Sequence, residues 1–185
     1  MKYFLGAIAG LILLWLFSVF IVQPFAIPSN SMEPALSTGD RILVNKTAYR
    51  SRPITRGDVV VFDGVDSFSR QSGEFVKRVI GIAGDRVVCC TDSWNLSVNG
   101  SEIQEDSYLF PGDSPSEIEF DALVPPGKIW VLGDHRSESA DSRSHLGDPG
   151  GGFVLESKVV GQAQFVIWPP TRWQRLDSHT FKELN

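Results

Sequence analysis

Phe75-Val76-Lys77-Arg78-Val79-Ile80-Gly81-Ile82 reads as a β-strand. Side chains of a pleated strand change face at every residue, so Phe75, Lys77 and Val79 share one face while Val76, Arg78 and Ile80 share the other. Lys77 therefore sits among apolar neighbours. A lysine held in such a place loses hydration, its ammonium form becomes costly, and its pKa falls toward values at which the neutral amine accepts a proton. A general base requires that property. The competing reading is an edge-strand lysine with its ammonium in water.

Outward from this run, the sequence after Gln23 is a series of short β-rich segments punctuated by Pro and Gly, with no sustained helical periodicity. Further strands are expected at 41–46, 58–62, 85–90, 96–98, 128–132 and 159–167, and the fold class is mainly β. Asn99-Gly100 marks a hairpin, because both residues tolerate the positive φ of a tight type I′ turn. Segments 63–73, 106–120 and 144–152 are polar and rich in Gly or Pro, and read as surface loops. There is no internal repeat and no composition break that would divide residues 24–185 into two domains. Trp168-Pro169-Pro170-Thr171-Arg172-Trp173 sets two tryptophans beside an arginine, which suits either a membrane interface or a Trp pair closing a small β core.

The amino-terminal part differs in kind. Residues 3–22 carry no charge, and as a helix rising about 1.5 Å per residue they would cover roughly the 30 Å of a bilayer core. This run exceeds the h-region of a cleaved signal peptide, so residues 1–23 are read as a cytoplasmic tip and retained anchor, with Lys2 favouring the cytoplasm and residues 24–185 outside. Apolar residues make up 42% of the 185, as in ordinary globular chains and unlike disordered ones. A net charge of −5 without a basic cluster argues against nucleic-acid binding. Cys89 and Cys90 are the only cysteines. Their Cα atoms would lie about 3.8 Å apart across a trans peptide, closer than an ordinary bridge prefers, so two separate thiols are expected.

A hydrolase that uses no metal or cofactor needs a nucleophile, a proton acceptor and donors for a developing oxyanion. Pro28-Ser29-Asn30-Ser31-Met32-Glu33-Pro34 follows the apolar run within ten residues and offers two hydroxyls in a Pro-bounded loop, although such a cluster is also an ordinary turn composition. Gly133-Asp134-His135-Arg136-Ser137-Glu138-Ser139-Ala140-Asp141-Ser142-Arg143 is dense in polar groups behind an apolar strand. It makes either a solvated loop or a hydrogen-bond network bracing a site, in which Asp141 and Arg143 pair and Ser139 holds a neighbouring amine. His135 admits a rival Ser/His/Asp triad, but its charged, turn-like flanks read more simply as surface. The three histidines lack metal-ligand spacing.

Taken together and in this order, these segments resemble the boxes of bacterial type I signal peptidases, in their short form with one span. Ile27-Pro28-Ser29-Asn30-Ser31-Met32-Glu33-Pro34-Ala35-Leu36 is similar to the nucleophile box. The resemblance makes Ser31 the nucleophile and Ser29, with the Ser31 amide, the oxyanion hole. Gly39-Asp40-Arg41-Ile42-Leu43-Val44 with Arg56-Gly57-Asp58-Val59-Val60 resembles a structural β box, and Lys77 through Asp85 the general-base box. The 133–143 segment resembles the last box, in which Ser139 orients the lysine while Asp141 and Arg143 brace the site. Ala35 departs from the usual threonine, and His135, Ser137 and Glu138 from the usual Asn, Asp and Asn.

The resemblance implies a signal-peptidase-like β-rich catalytic domain with one N-terminal transmembrane helix, facing outward from a bacterial plasma membrane. It implies a Ser/Lys dyad that forms an acyl-enzyme with signal-peptide-bearing preproteins and needs no cofactor. An extended substrate would pair with a strand edge, its small P1 and P3 side chains entering pockets near Phe25, Ile27, Pro28, Met32, Leu36, Phe75 and Val76. The alternatives are a self-cleaving Ser/Lys protease and a membrane-tethered β-rich module that only binds exported peptides.

Overall fold

A computed structural model describes residues 8, 10, 20–68 and 73–178. Its strands are β1 (Val22–Ala26), β2 (Arg41–Asn45), β3 (Val59–Asp63), β4 (Glu74–Gly81), β5 (Arg86–Cys89) and β6 (Leu96–Val98). They continue with β7 (Ser101–Glu102), β8 (Phe120–Leu123), β9 (Lys128–Leu132), β10 (Val154–Leu155), β11 (Val159–Trp168) and β12 (Gln174–Arg175). A larger sheet runs β1-β2-β11-β3-β4-β9-β10, with β12 attached to β11, and a smaller one runs β7-β6-β5-β8. All pairings among the described residues are antiparallel.

The Val59-Val60-Val61-Phe62 run explains why β3 lies deep in the larger sheet. All four residues are buried, and alternation sends them to opposite faces. Val59 and Val61 join Ile27, Met32, Leu36, Ile42 and Val44 in one core; Val60 and Phe62 join Val79, Ile129 and Val131 in another. A third core, built on Ile80, Val87, Leu96, Val98, Phe120, Trp130 and Leu132, fastens the smaller sheet to β4 and β9. Each large apolar side chain removed from water contributes about 1.5–3 kcal/mol, so three such cores hold β4 firmly from both faces.

Register then fixes the chemistry. Lys77 lies opposite Val60, and Arg78 opposite Val59 on one side and Leu132 on the other. β9 joins β4 only from Arg78 onward, so Glu74 to Lys77 are paired through β3 alone. Asn99-Gly100 makes the expected two-residue hairpin between β6 and β7, with φ of 54° and 83°.

Several expectations need correction. Residues 22–26, read in part as the end of the apolar run, form β1; as an edge strand it accommodates Pro24 opposite Leu43. Segment 106–120 is no purely superficial loop: Tyr108 and Ser116 are buried. Cys89 and Cys90 are bonded to each other, not separate thiols, with their Cα atoms 2.9 Å apart. Trp168 and Trp173 close no core; both are exposed, alongside Phe165 and Ile167. The apolar run at 3–22 falls almost wholly outside the described residues, among which no helix is long and apolar enough to cross a membrane.

Candidate active site

Ser31 follows β1 in a tight turn, where the Glu33 amide donates to the Asn30 carbonyl and the Leu36 amide to the Met32 carbonyl. The second of these bonds places Met32 and Leu36 one helical turn apart, so both point into the core, at 1% and 0% exposure. Burial of these two side chains anchors the turn and leaves Ser31 facing β4. Lys77 Nζ donates to Ser31 Oγ at 2.7 Å, and Ser29 Oγ lies 3.4 Å from the same oxygen. The Ser31 amide makes no backbone hydrogen bond within the described residues.

Lys77 is 4% exposed, which excludes the water-facing alternative. Burial lowers its pKa from 10.5 to about 8, against the opposing pull of Asp141 and Asp134 and with help from Arg143. At pH 8 about half of this lysine is free amine, against roughly 0.3% for an ordinary one.

The 133–143 segment wraps this pair. Asp141 and Arg143 are paired as expected, Arg143 Nε reaching Asp141 Oδ1 and Nη2 reaching Oδ2, each at 2.8 Å. Burial acts against the Asp141 carboxylate, but these bonds and the Gly133 amide at 3.0 Å hold its pKa below the ordinary value. It therefore stays charged beside Lys77. Gly133 passes so close to Ser31 that a Cβ there would collide with the Ser31 carbonyl and with Ser139. Ser139 Oγ is buried beside it, near the Asp141 carboxylate, and makes no hydrogen bond to Lys77. His135 is not a surface residue: it is 8% exposed, stacked on Phe110 with centroids 3.8 Å apart, and its amide donates to the Ser31 carbonyl. Its ring takes no part in bonding Ser31 Oγ, whose partners are Lys77 and Ser29.

Comparison with known proteins places the chain as a whole. The family described as signal peptidase, peptidase S26, matches residues 1–168. The chain belongs to that family. It is a serine endopeptidase. Signal peptidase I of Mycobacterium tuberculosis is 34% identical, over 90% of this chain and 72% of that protein. Signal peptidase IB of Staphylococcus aureus is 32% identical, over 91% of this chain and 90% of that protein. A crystal structure of a signal peptidase I from Enterococcus faecalis is 27% identical with a TM-score of 0.45, covering 60% of this chain and 97% of that one.

Of the residues expected around a peptidase groove, Phe25, Phe75 and Val76 are half-buried and Pro28 is exposed, whereas Ile27 joins Met32 and Leu36 in the core. Phe75 is set by aromatic contacts with Phe62 and Phe68 at 5.8 and 5.6 Å. Sequence reasoning missed a second buried layer behind the site. Arg78 grips Asp134 at 2.7 and 2.6 Å and lies over the Tyr108 ring, while Arg136 pairs with Glu105. The signal available was Arg78 itself, a cation on an otherwise apolar strand face, which requires a buried carboxylate.

Proposed function

We propose that this peptidase removes N-terminal signal peptides from exported preproteins through a Ser31/Lys77 dyad, from a position anchored in the bacterial plasma membrane. The observation that carries the reading is a 2.7 Å bond between a serine hydroxyl and a lysine amine that is 4% exposed. Neutral Lys77 takes the Ser31 proton as Oγ attacks the scissile carbonyl carbon. The oxyanion is met by the Ser31 amide and the Ser29 hydroxyl. Lys77 then gives its proton to the departing amine, leaving an acyl ester on Ser31. Water, deprotonated by Lys77, attacks that ester, and the proton returns to Ser31 Oγ. No cofactor enters the cycle. Asp141 and Arg143 brace the lysine, and Ser139 orients the amine once substrate draws Ser31 toward the carbonyl.

The Glu74 to Lys77 stretch, paired through β3 alone, offers a free strand edge beside the dyad for an extended peptide. Phe25, Pro28, Phe75 and Val76 supply the apolar surface there, and the tight aromatic packing around Phe75 favours small P1 and P3 side chains. The apolar run ahead of β1 is the single anchor, and the chain from β1 onward is the extracytoplasmic catalytic domain. The uncharged run at 3–22 and the exposed Phe165, Ile167, Trp168 and Trp173 support this placement at a bilayer surface. Enzyme and substrate then share one membrane, which raises their effective concentration.

The test is cleavage of a signal-bearing precursor with Ala at P1 and P3 by the full-length protein in detergent. Ser31→Ala and Lys77→Ala should each lose at least about 10³-fold in rate. Cleavage by Ser31→Ala at the wild-type rate would refute the assignment.

A further inference from the structure

Glu105 lies between β7 and β8, outside every segment read from the sequence as chemical, yet it is only 6% exposed. Its carboxylate is held by Arg136, with Nη1 at 3.1 Å from Oε2 and Nη2 on Oε1, and by the Tyr108 hydroxyl at 2.7 Å. Arg136, 3% exposed, also donates from Nε to the Gly133 carbonyl at 2.9 Å and from Nη1 to the Pro115 carbonyl at 2.6 Å. The Arg136 carbonyl accepts Arg143 Nη2 at 2.8 Å. Arg143 holds Asp141, and Asp141 accepts the Gly133 amide, which closes a ring of buried bonds through Gly133, Arg136, Arg143 and Asp141. Glu105 is the anion that holds this ring from outside the 133–143 segment.

A buried Arg–Glu pair is no efficient source of stability, since apolar residues of similar volume often serve as well or better. Its distinctive contribution is directional: two parallel bonds fix where the guanidinium points. That guanidinium fixes the Gly133 carbonyl, next to the Ser31 backbone, and its residue's carbonyl fixes the Asp141–Arg143 pair, next to Lys77. We infer that Glu105 is a positioning residue for the Ser31/Lys77 dyad, acting through Arg136 from the connection that leads to the smaller sheet. The inference rests on Lys77 being the general base.

The charged groups facing Lys77 are Asp141, Asp134 and Arg143; Arg136 faces Glu105 and Asp134, and Asp134 already neutralises Arg78. Replacing Glu105 with glutamine leaves Arg136 seeking Asp134, so the field at Lys77 becomes more positive and its ammonium less favourable. The acid limb of activity therefore moves to lower pH while turnover falls through lost alignment.

The experiment compares pH–rate profiles of precursor cleavage by full-length wild type, Glu105→Gln and Glu105→Asp, each corrected for active fraction by burst titration. Glu105→Gln should lose about tenfold or more in kcat with KM within about twofold, and its acid limb should fall by about half a pH unit. Glu105→Asp, which keeps the charge, should return the limb to its wild-type place and recover part of kcat. A Glu105→Gln protein with wild-type kcat and an unmoved limb overturns the inference. If that variant does not fold, Glu105→Gln/Arg136→Met leaves no buried unpaired charge and carries the test: reduced kcat per folded molecule supports the role, and wild-type kcat overturns it. Wild type failing to cleave would instead bring down the Ser31/Lys77 reading on which the inference stands.

Discussion

Lys77→Met should stabilise the folded protein at neutral pH while abolishing its catalysis. In the unfolded chain Lys77 titrates at 10.5 and in the folded one at about 8, a difference worth about 3 kcal/mol. Below pH 8 both states carry the proton, and the fold bears the whole cost of a buried ammonium. Between 8 and 10.5 the folded state has released its proton while the unfolded state still binds one, so wild-type stability gains with rising pH. Above 10.5 the cost is gone. Methionine fills a similar volume without any charge, so the advantage of Lys77→Met over wild type should be largest below pH 8 and shrink by about 3 kcal/mol by pH 10.5. Tyr49, whose burial next to Asp58 raises its pKa, also affects stability at high pH, but it does so equally in both proteins and cancels from the difference. Urea unfolding of the full-length proteins in one detergent, followed by tryptophan fluorescence at half-unit steps from pH 7 to 10.5, measures this difference. A stability difference that stays constant over that range would refute the reasoning.

Gly133→Ala inserts a methyl group against the Ser31 carbonyl and Ser139, and should lower kcat about 100-fold while costing only about 1–3 kcal/mol in a parallel melt. Asp141→Asn removes the anion that most favours the Lys77 ammonium, so the acid limb of cleavage should move to lower pH. It also strands the Arg143 charge, so the same variant should lose about 3–5 kcal/mol of stability, read by denaturant titration.

What could be read from the sequence was what local spacing controls. Alternation around Lys77 places it among apolar residues, and the structure buries it opposite Val60, with Val79 in the core and half-buried Phe75 packed against that core. Asn99-Gly100 located its turn because the backbone demand is met by two adjacent residues. The Asp141–Arg143 pair is similarly local, two positions apart. β8 was hidden because Phe120 and Ala122 alternate correctly but follow the acidic Glu117-Ile118-Glu119, which reads as loop. β7, β10 and β12 are two residues each, too short for any period to show. Met32 and Leu36 lie close to Ser31 in sequence, but the turn around Ser31 points them inward, a direction that proximity along the chain does not encode. The Glu105–Arg136 and Arg78–Asp134 pairs join residues 31 and 56 positions apart, and only the folded sheets bring them together.

The pH dependence of kcat/KM for precursor cleavage by the full-length protein tests the dyad most directly. A neutral Lys77 acting on Ser31 predicts a single acid limb with an apparent pKa of about 8, displaced downward in Asp141→Asn. An acid limb in the range of an ordinary histidine, unmoved by Asp141→Asn, would show that another group activates the serine.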